Sequence, residues 1–238
     1  MRPPINDSAT ADFLQAARAG NLDALEKAYA AGAAVNRFDR EGNTALVLAG
    51  ARGSVPMLSF LFRHGAENHA ENAQGNNALM AAILGGHTDA AVFCLKHDFN
   101  MHATNHDGRT AFALAAAADS PVLLDGMSSR GADVNARDAK GRTPLMIAAA
   151  DGKMRALESL LTRDAVDPER KDDEGHTALM LACLGGHREA AVLLLKSGAR
   201  VDVSDNRGRD MMFYAKQWGL EDEVKDAFAR YDLPQVTE

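Results

Sequence analysis

Residues 175–199 read GHTALMLACLGGHREAAVLLLKSGA, with His176 and His187 on either side of Cys183. Imidazole and thiol groups at this spacing suit a metal site or an activated nucleophile. They equally suit a structural unit that recurs along the chain. Self-similarity decides between the two. The pattern (D/N)-x-x-G-x-(T/N)-(A/P)-(L/F) starts at Asp39, Asn72, Asn105, Asp138 and Asp172, with a decayed copy, DNRGRDMM, at Asp205. Its glycines, Gly42, Gly75, Gly108, Gly141, Gly175 and Gly208, are separated by 33, 33, 33, 34 and 33 residues. A fixed period of this length is the mark of a stacked repeat.

Each unit has a local physical logic. A glycine after two polar residues suits a tight turn with positive φ. Thr44, Thr110, Thr143 and Thr177 follow, where a hydroxyl can accept an orphan amide at a helix start. Pro144, next to Thr143, fits the first helical position. A short alanine-rich helix is predicted there, as in LMIAAADG from Leu145 to Gly152, then a longer apolar helix such as REAAVLLLKSG from Arg188 to Gly198. Gly65, Gly131 and Gly198 supply the expected stops.

On GADVNARDAKGRTPLMIAAADG from Gly131 and the stretch from Gly175, the chain resembles ankyrin repeats. The resemblance implies an all-α repeat solenoid of helix-turn-helix units with projecting hairpin-like fingers. One domain is expected over 11–232: an N-terminal cap unit at 11–38, full units at 39–71, 72–104, 105–137, 138–171 and 172–204, and a C-terminal cap unit at 205–232. Flexible tails are expected at 1–10 and 233–238. Cap units are what a solenoid requires, because each unit otherwise exposes apolar surface. Where the family most often has histidine after Thr-Pro-Leu, this chain has Val47, Met80, Ala113, Met146, Met180 and Phe213. Apolar packing is expected to replace that histidine's hydrogen bonds, with methionine as the adaptable filler.

The repeat disarms the opening question. GGH recurs at His87 in the corresponding position. The resemblance implies that this histidine begins the second helix and supports its turn through local hydrogen bonds, so His187 reads as structural. Cys183 replaces alanines such as Ala149 and reads as a small buried apolar group. Cys94 and Cys183 lie on units three apart, roughly 25–30 Å at 8–10 Å per packed helix, whereas a disulfide needs Cα atoms within about 7 Å. His69, His102 and His106 have no completing cysteine or carboxylate for zinc and read as solvated finger residues. No elbow serine, phosphate loop or His-Glu-x-x-His pair is present. No catalytic, cofactor or metal residue is therefore assigned.

Composition narrows the partner. A net charge of −7 weighs against nucleic acid, as does the scarcity of aromatic stacking groups at 5%. No run approaches the roughly 18 apolar residues of a membrane helix. MRPPINDSATAD lacks an apolar stretch, so a cytoplasmic, monomeric protein is expected, with a secreted effector or a trimmed leader left open. The position after each finger glycine holds Asn43, Asn76, Arg109, Arg142, His176 and Arg209, predicted to line one rim of the concave face. Arg137, Lys140, Arg170, Lys171 and Arg207 add positive charge to that edge. Such a stripe would steer an acidic partner protein, unless Asp107, Asp138, Asp173 and Glu174 neutralise it locally. Trp218 suits either a binding hot spot or, by preference, closure of the last unit. The function expected is a non-enzymatic protein-binding scaffold; the alternative is a dedicated inhibitor, immunity protein or host-directed effector acting on one target. Partner-contact candidates are Arg109, Arg142, Arg209, Arg137, Lys140, Arg207, His176 and Trp218.

Overall fold

A computed structural model of the protein describes residues 7–230. Its helices follow in pairs: α1 (Asp7–Ala19) and α2 (Leu22–Ala30), α3 (Ala45–Ala51) and α4 (Val55–Arg63), α5 (Ala78–Leu84) and α6 (Thr88–Lys96), α7 (Ala111–Ala117) and α8 (Pro121–Ser128). The series continues with α9 (Pro144–Ala150) and α10 (Met154–Leu161), α11 (Ala178–Leu184) and α12 (Arg188–Lys196), α13 (Met211–Lys216) and α14 (Glu221–Arg230). The fold is an all-α repeat solenoid. Its fingers lack named strands among the described residues; single antiparallel bridges, Thr104 to Thr110 and Ser204 to Asp210, close two of them.

In a repeat each helix pair packs on its sequence neighbours alone. By contacts, the chain divides into two compact units between Leu114 and Ala115. In the first unit α1, α3 and α5 pack in succession, and α4 packs on α6. In the second, α9, α11 and α13 form the inner series, and α8, α10, α12 and α14 the outer one. The inner helices are buried almost all round, for example Leu46, Val47 and Ala49 of α3 and Leu179, Met180 and Ala182 of α11.

The amino-terminal boundary differs from expectation. Residues 7–10 belong to α1 and not to a tail, because Ala9 and Thr10 are buried and the Thr10 hydroxyl accepts the Ala34 amide at 3.0 Å. The expected tail residues 1–6 and 233–238 lie outside the described residues.

The finger threonines cap the inner helices. Thr44, Thr110, Thr143 and Thr177 accept the amides of Val47, Ala113, Met146 and Met180 at 3.2–3.4 Å. Asn77 does the same for Met80 at 3.0 Å. The decayed motif keeps this function, since the Asp210 carboxylate accepts the Phe213 amide at 2.8 Å. Met146 does more than fill space: its Sδ accepts the Thr143 amide at 3.4 Å, a hydrogen bond where packing alone was expected. Thr177→Ala is expected to cost about 1 kcal/mol, a fall of roughly 2–4 °C in a thermal melt followed by circular dichroism.

Candidate functional site

Every finger is built on one short polar motif. The first residue, Asp39, Asn72, Asn105, Asp138, Asp172 or Asp205, turns its Oδ1 back to accept the amides two and four residues on, at 2.8–3.1 Å. This is the Asx-turn habit of Asp and Asn, and it fixes the finger before any partner arrives. Within each compact unit, neighbouring fingers are then joined by single backbone bonds. Ala73 donates to the Glu41 carbonyl, His106 to Gln74, Asp173 to Lys140 and Asn206 to Glu174, at 3.0–3.2 Å.

The side chains predicted to form an outward rim point instead at these turn residues. Asn43 Oδ1 accepts Asn72 Nδ2, and Asn76 Oδ1 accepts Asn105 Nδ2, both at 3.1 Å. Arg142 donates through Nε and Nη2 to Asp138 Oδ2 at 3.0 and 2.8 Å. Arg209 donates to Asp205 Oδ2 at 2.6 Å and lies 5.3 Å from the centres of the Phe213 and Tyr214 rings. His176 is turned inward, with 6% of its side chain exposed. Its Nδ1 stands 3.2 Å from Asp172 Oδ2 and its Nε2 3.8 Å from Asp205 Oδ2. Asn43, Asn76 and His176 are therefore interior residues, not rim residues, because each completes the second oxygen or amide of a buried turn. Arg109 is half-buried, its amide donating to Asn105 at 3.0 Å.

Burial pushes the Asp138 and Asp205 carboxyls up, but the hydrogen bonds outweigh it and hold both below the usual carboxylate range. For Asp138 the opposing donors are chiefly the Arg142 side chain and amide. For Asp205 they are the Tyr214 hydroxyl, then Arg209 and the Arg207 amide. Burial and donation to Asp205 together push Tyr214 up. These are acids with tuned chemistry and no access, so they build the finger and do not face a substrate. Of the cations predicted for this edge, Lys140 and Arg207 stay exposed at the finger tips without an ion pair among the described residues. Arg170 lies 3.5 Å from Asp167, and Lys171 donates to the Ser204 carbonyl at 2.8 Å. Arg137, although exposed, is occupied by the Lys171 carbonyl at 3.0 Å and Asp173 at 2.7 Å.

The family model described as Ankyrin repeats (3 copies) matches in overlapping windows, residues 13–105, 60–138, 86–172, 113–205 and 145–225. The chain belongs to the ankyrin-repeat family. Within this ankyrin-repeat protein the three residues that opened the question have separate tasks. His176 is buried against its own finger base, its Nδ1 at Asp172 and its Nε2 without a hydrogen-bond partner among the described residues, and Cys183 is buried in α11. His187 lies over the preceding unit, where a Cβ on Gly152 would stand 2.5 Å from its Nδ1. Its counterpart His87 covers Gly53 in the same way and lies 3.1 Å from the Ala51 carbonyl through Nε2. Local support of the turn was expected for these histidines; they reach back about one repeat instead, because the glycine leaves room for the ring and the end of α3 leaves a carbonyl to satisfy.

Burial pushes the Cys94 and Cys183 thiols up to about 12. Both are free, and a thiol held protonated is a poor nucleophile and metal ligand. Among the described residues no three His, Cys, Asp or Glu side chains are grouped to hold a metal ion, and no helix is long and apolar enough to cross a membrane. Trp218 covers Gly186, where a Cβ would stand 2.7 Å from the ring, yet 47% of it remains exposed. One side of the ring thus lies on the preceding helix pair while much of the residue stays open to solvent. Exposed Phe38, Leu84, Val122 and Leu184 are surface residues that the sequence reading missed, and Phe213, expected to pack in place of a histidine, is exposed as well. The two leucines end α5 and α11 one position before a glycine, a recurrence that marks the pair.

Proposed function

We propose that this ankyrin-repeat protein is a non-enzymatic scaffold that holds a partner protein against its fingers and inner helices. Ankyrin repeats are protein-interaction modules, and the observation that carries the reading here is the finger motif. Six Asx turns and the cross-finger hydrogen bonds lock the fingers in the free protein, so little ordering entropy is lost on binding. The contact set narrows to Lys140 and Arg207, with Trp218 on the last helix pair as an apolar anchor. Arg137, Arg142 and Arg209 orient the fingers from beneath, Arg109 and His176 belong to the same framework, and an acidic partner is favoured. Two free, buried cysteines support a reducing compartment such as the cytoplasm, with the monomer as the working form.

The test is capture of the partner from native lysate with cross-linking, then surface plasmon resonance with the purified pair. Lys140→Glu combined with Arg207→Glu is expected to slow association about tenfold at low salt and to flatten its salt dependence. Parental association kinetics in that variant would defeat the acidic-partner reading.

A further inference from the structure

We infer that the groove between the end of α1 and the first finger takes a short acidic segment of a partner protein, anchored by one large apolar side chain. The inference rests on the protein-binding reading and assigns a second, chemically specific contact to it. The groove has a volume of about 770 Å³ and is bordered by Leu14, Arg18, Phe38, Arg40 and Arg52. Phe38 is 57% exposed, so its ring gives an apolar partner side chain an area to cover. Water is removed from both on contact.

Charge selects the rest of the ligand. Asp39 and Glu41 also border the groove, but Arg18 meets both, at 2.6 and 3.2 Å. Burial pushes the Asp39 carboxyl up, yet its bonds to Asn43 and Arg18 hold it below the ordinary range. Both carboxylates are thus already engaged. Arg52 donates its Nε to the Arg18 carbonyl at 2.7 Å, which caps the end of α1 and fixes the guanidinium at the groove wall. No carboxylate among the described residues lies within ion-pair distance of Arg40 or Arg52. Three guanidinium groups therefore border the groove with two carboxylates, and Arg40 and Arg52, without a counter-ion, line it together with the exposed ring. In a protein of net charge −7, this local excess favours carboxylates beside an apolar anchor. Guanidinium groups also suit carboxylates geometrically, through paired parallel N–H bonds.

The experiment uses the full chain and a defined probe, the peptide acetyl-EEDLFDEE-amide, followed by amide NMR shifts and by anisotropy of a fluorescein-labelled form. The expected result is saturable shifts at Gln15–Ala19, Phe38–Glu41 and Arg52. Affinity should fall about tenfold in Phe38→Ser and in Arg40→Glu, and binding should vanish when lysines replace the peptide's acids. Arg40→Glu alters an exposed finger-tip side chain, and an unchanged circular dichroism melt verifies its fold. Shifts confined to the fingers around Lys140 and Arg207 would overturn the groove and leave the protein-binding reading standing. Absence of saturable binding would also overturn it, as would a doubled mass by light scattering with shifts at the groove, which would make a second copy the occupant. Cross-links from the captured partner to unit two alone would refute the groove without touching the scaffold reading.

Discussion

Asp205→Ala is expected to lower the free energy of unfolding by about 3–5 kcal/mol and the thermal midpoint by roughly 6–20 °C. The Asp205 side chain is 0% exposed. Its Oδ1 accepts the Arg207 and Arg209 amides at 2.8 and 2.9 Å, and its Oδ2 accepts Arg209 Nε at 2.6 Å and the Tyr214 hydroxyl at 2.5 Å. Truncation would strand four donors, one of them the partly exposed Arg209 guanidinium, around a carboxylate position that is itself fully buried. An unsatisfied buried donor loses its whole hydration, which exceeds the net worth of the bond it made. Arg200 and Asp202 are the control, since that pair is largely exposed and Asp202→Ala should leave the melt unchanged. Acid supplies a second test. The folded Asp205 carboxyl titrates below its ordinary value of 3.8, so its contribution is complete above that pH and is lost as pH falls through the folded value. The gap between parent and variant in urea denaturation, read by Trp218 fluorescence, should therefore close in strong acid and hold constant from pH 5 to 7. A variant as stable as the parent at pH 7 would mean that Asp205 does not hold the finger base together.

The period, the caps and the helix order were legible because they follow from backbone chemistry that repeats in every unit. Gly42 and its successors announce the turn, and the residue two after each announces the helix. The direction of the side chains at Arg142, His176 and Arg209 was not legible in the same way. A polar residue next to a finger tip reads as solvated, and only the fold shows that it closes on the residue four before it. A signal was nevertheless present: Asp138 with Arg142, Asp172 with His176 and Asp205 with Arg209 each pair an acid with a base at that spacing, whereas Asn72 is matched by Asn76. The motif thus carries its own counter-charge. The groove at Phe38 had no such signal. Arg18 lies on α1, which lacks the finger motif, so no period links it to Asp39 and Glu41. Long-range partners of a single copy are invisible to a method that reads recurrence.

Gly50→Val is the sharper test of helix packing, with an expected loss of about 3 kcal/mol and roughly 6–12 °C. Gly50 is buried in α3, where α5 packs. A Cβ there would stand 2.4 Å from the Ala78 carbonyl oxygen, 3.1 Å from its carbon and 3.2 Å from Ala78 Cα. These are backbone atoms at the first turn of α5, so no rotamer change relieves the overlap; the two helices must separate. Gly50→Ala sets two effects against each other. Removing a helical glycine gains about 1 kcal/mol of propensity, while overpacking costs about 1–3 kcal/mol. The net should still be destabilising, by about 1 kcal/mol, with the valine variant worse because its branch adds two carbons to the same gap. The repeat alone argues the other way, since the equivalent positions hold Ile83, Ala116, Ala149 and Cys183, which would make alanine at 50 look harmless or helpful. Thermal melts of the two variants decide between motif and geometry. A more stable Gly50→Ala protein would show that α3 and α5 are not in the close contact that gives this glycine its place.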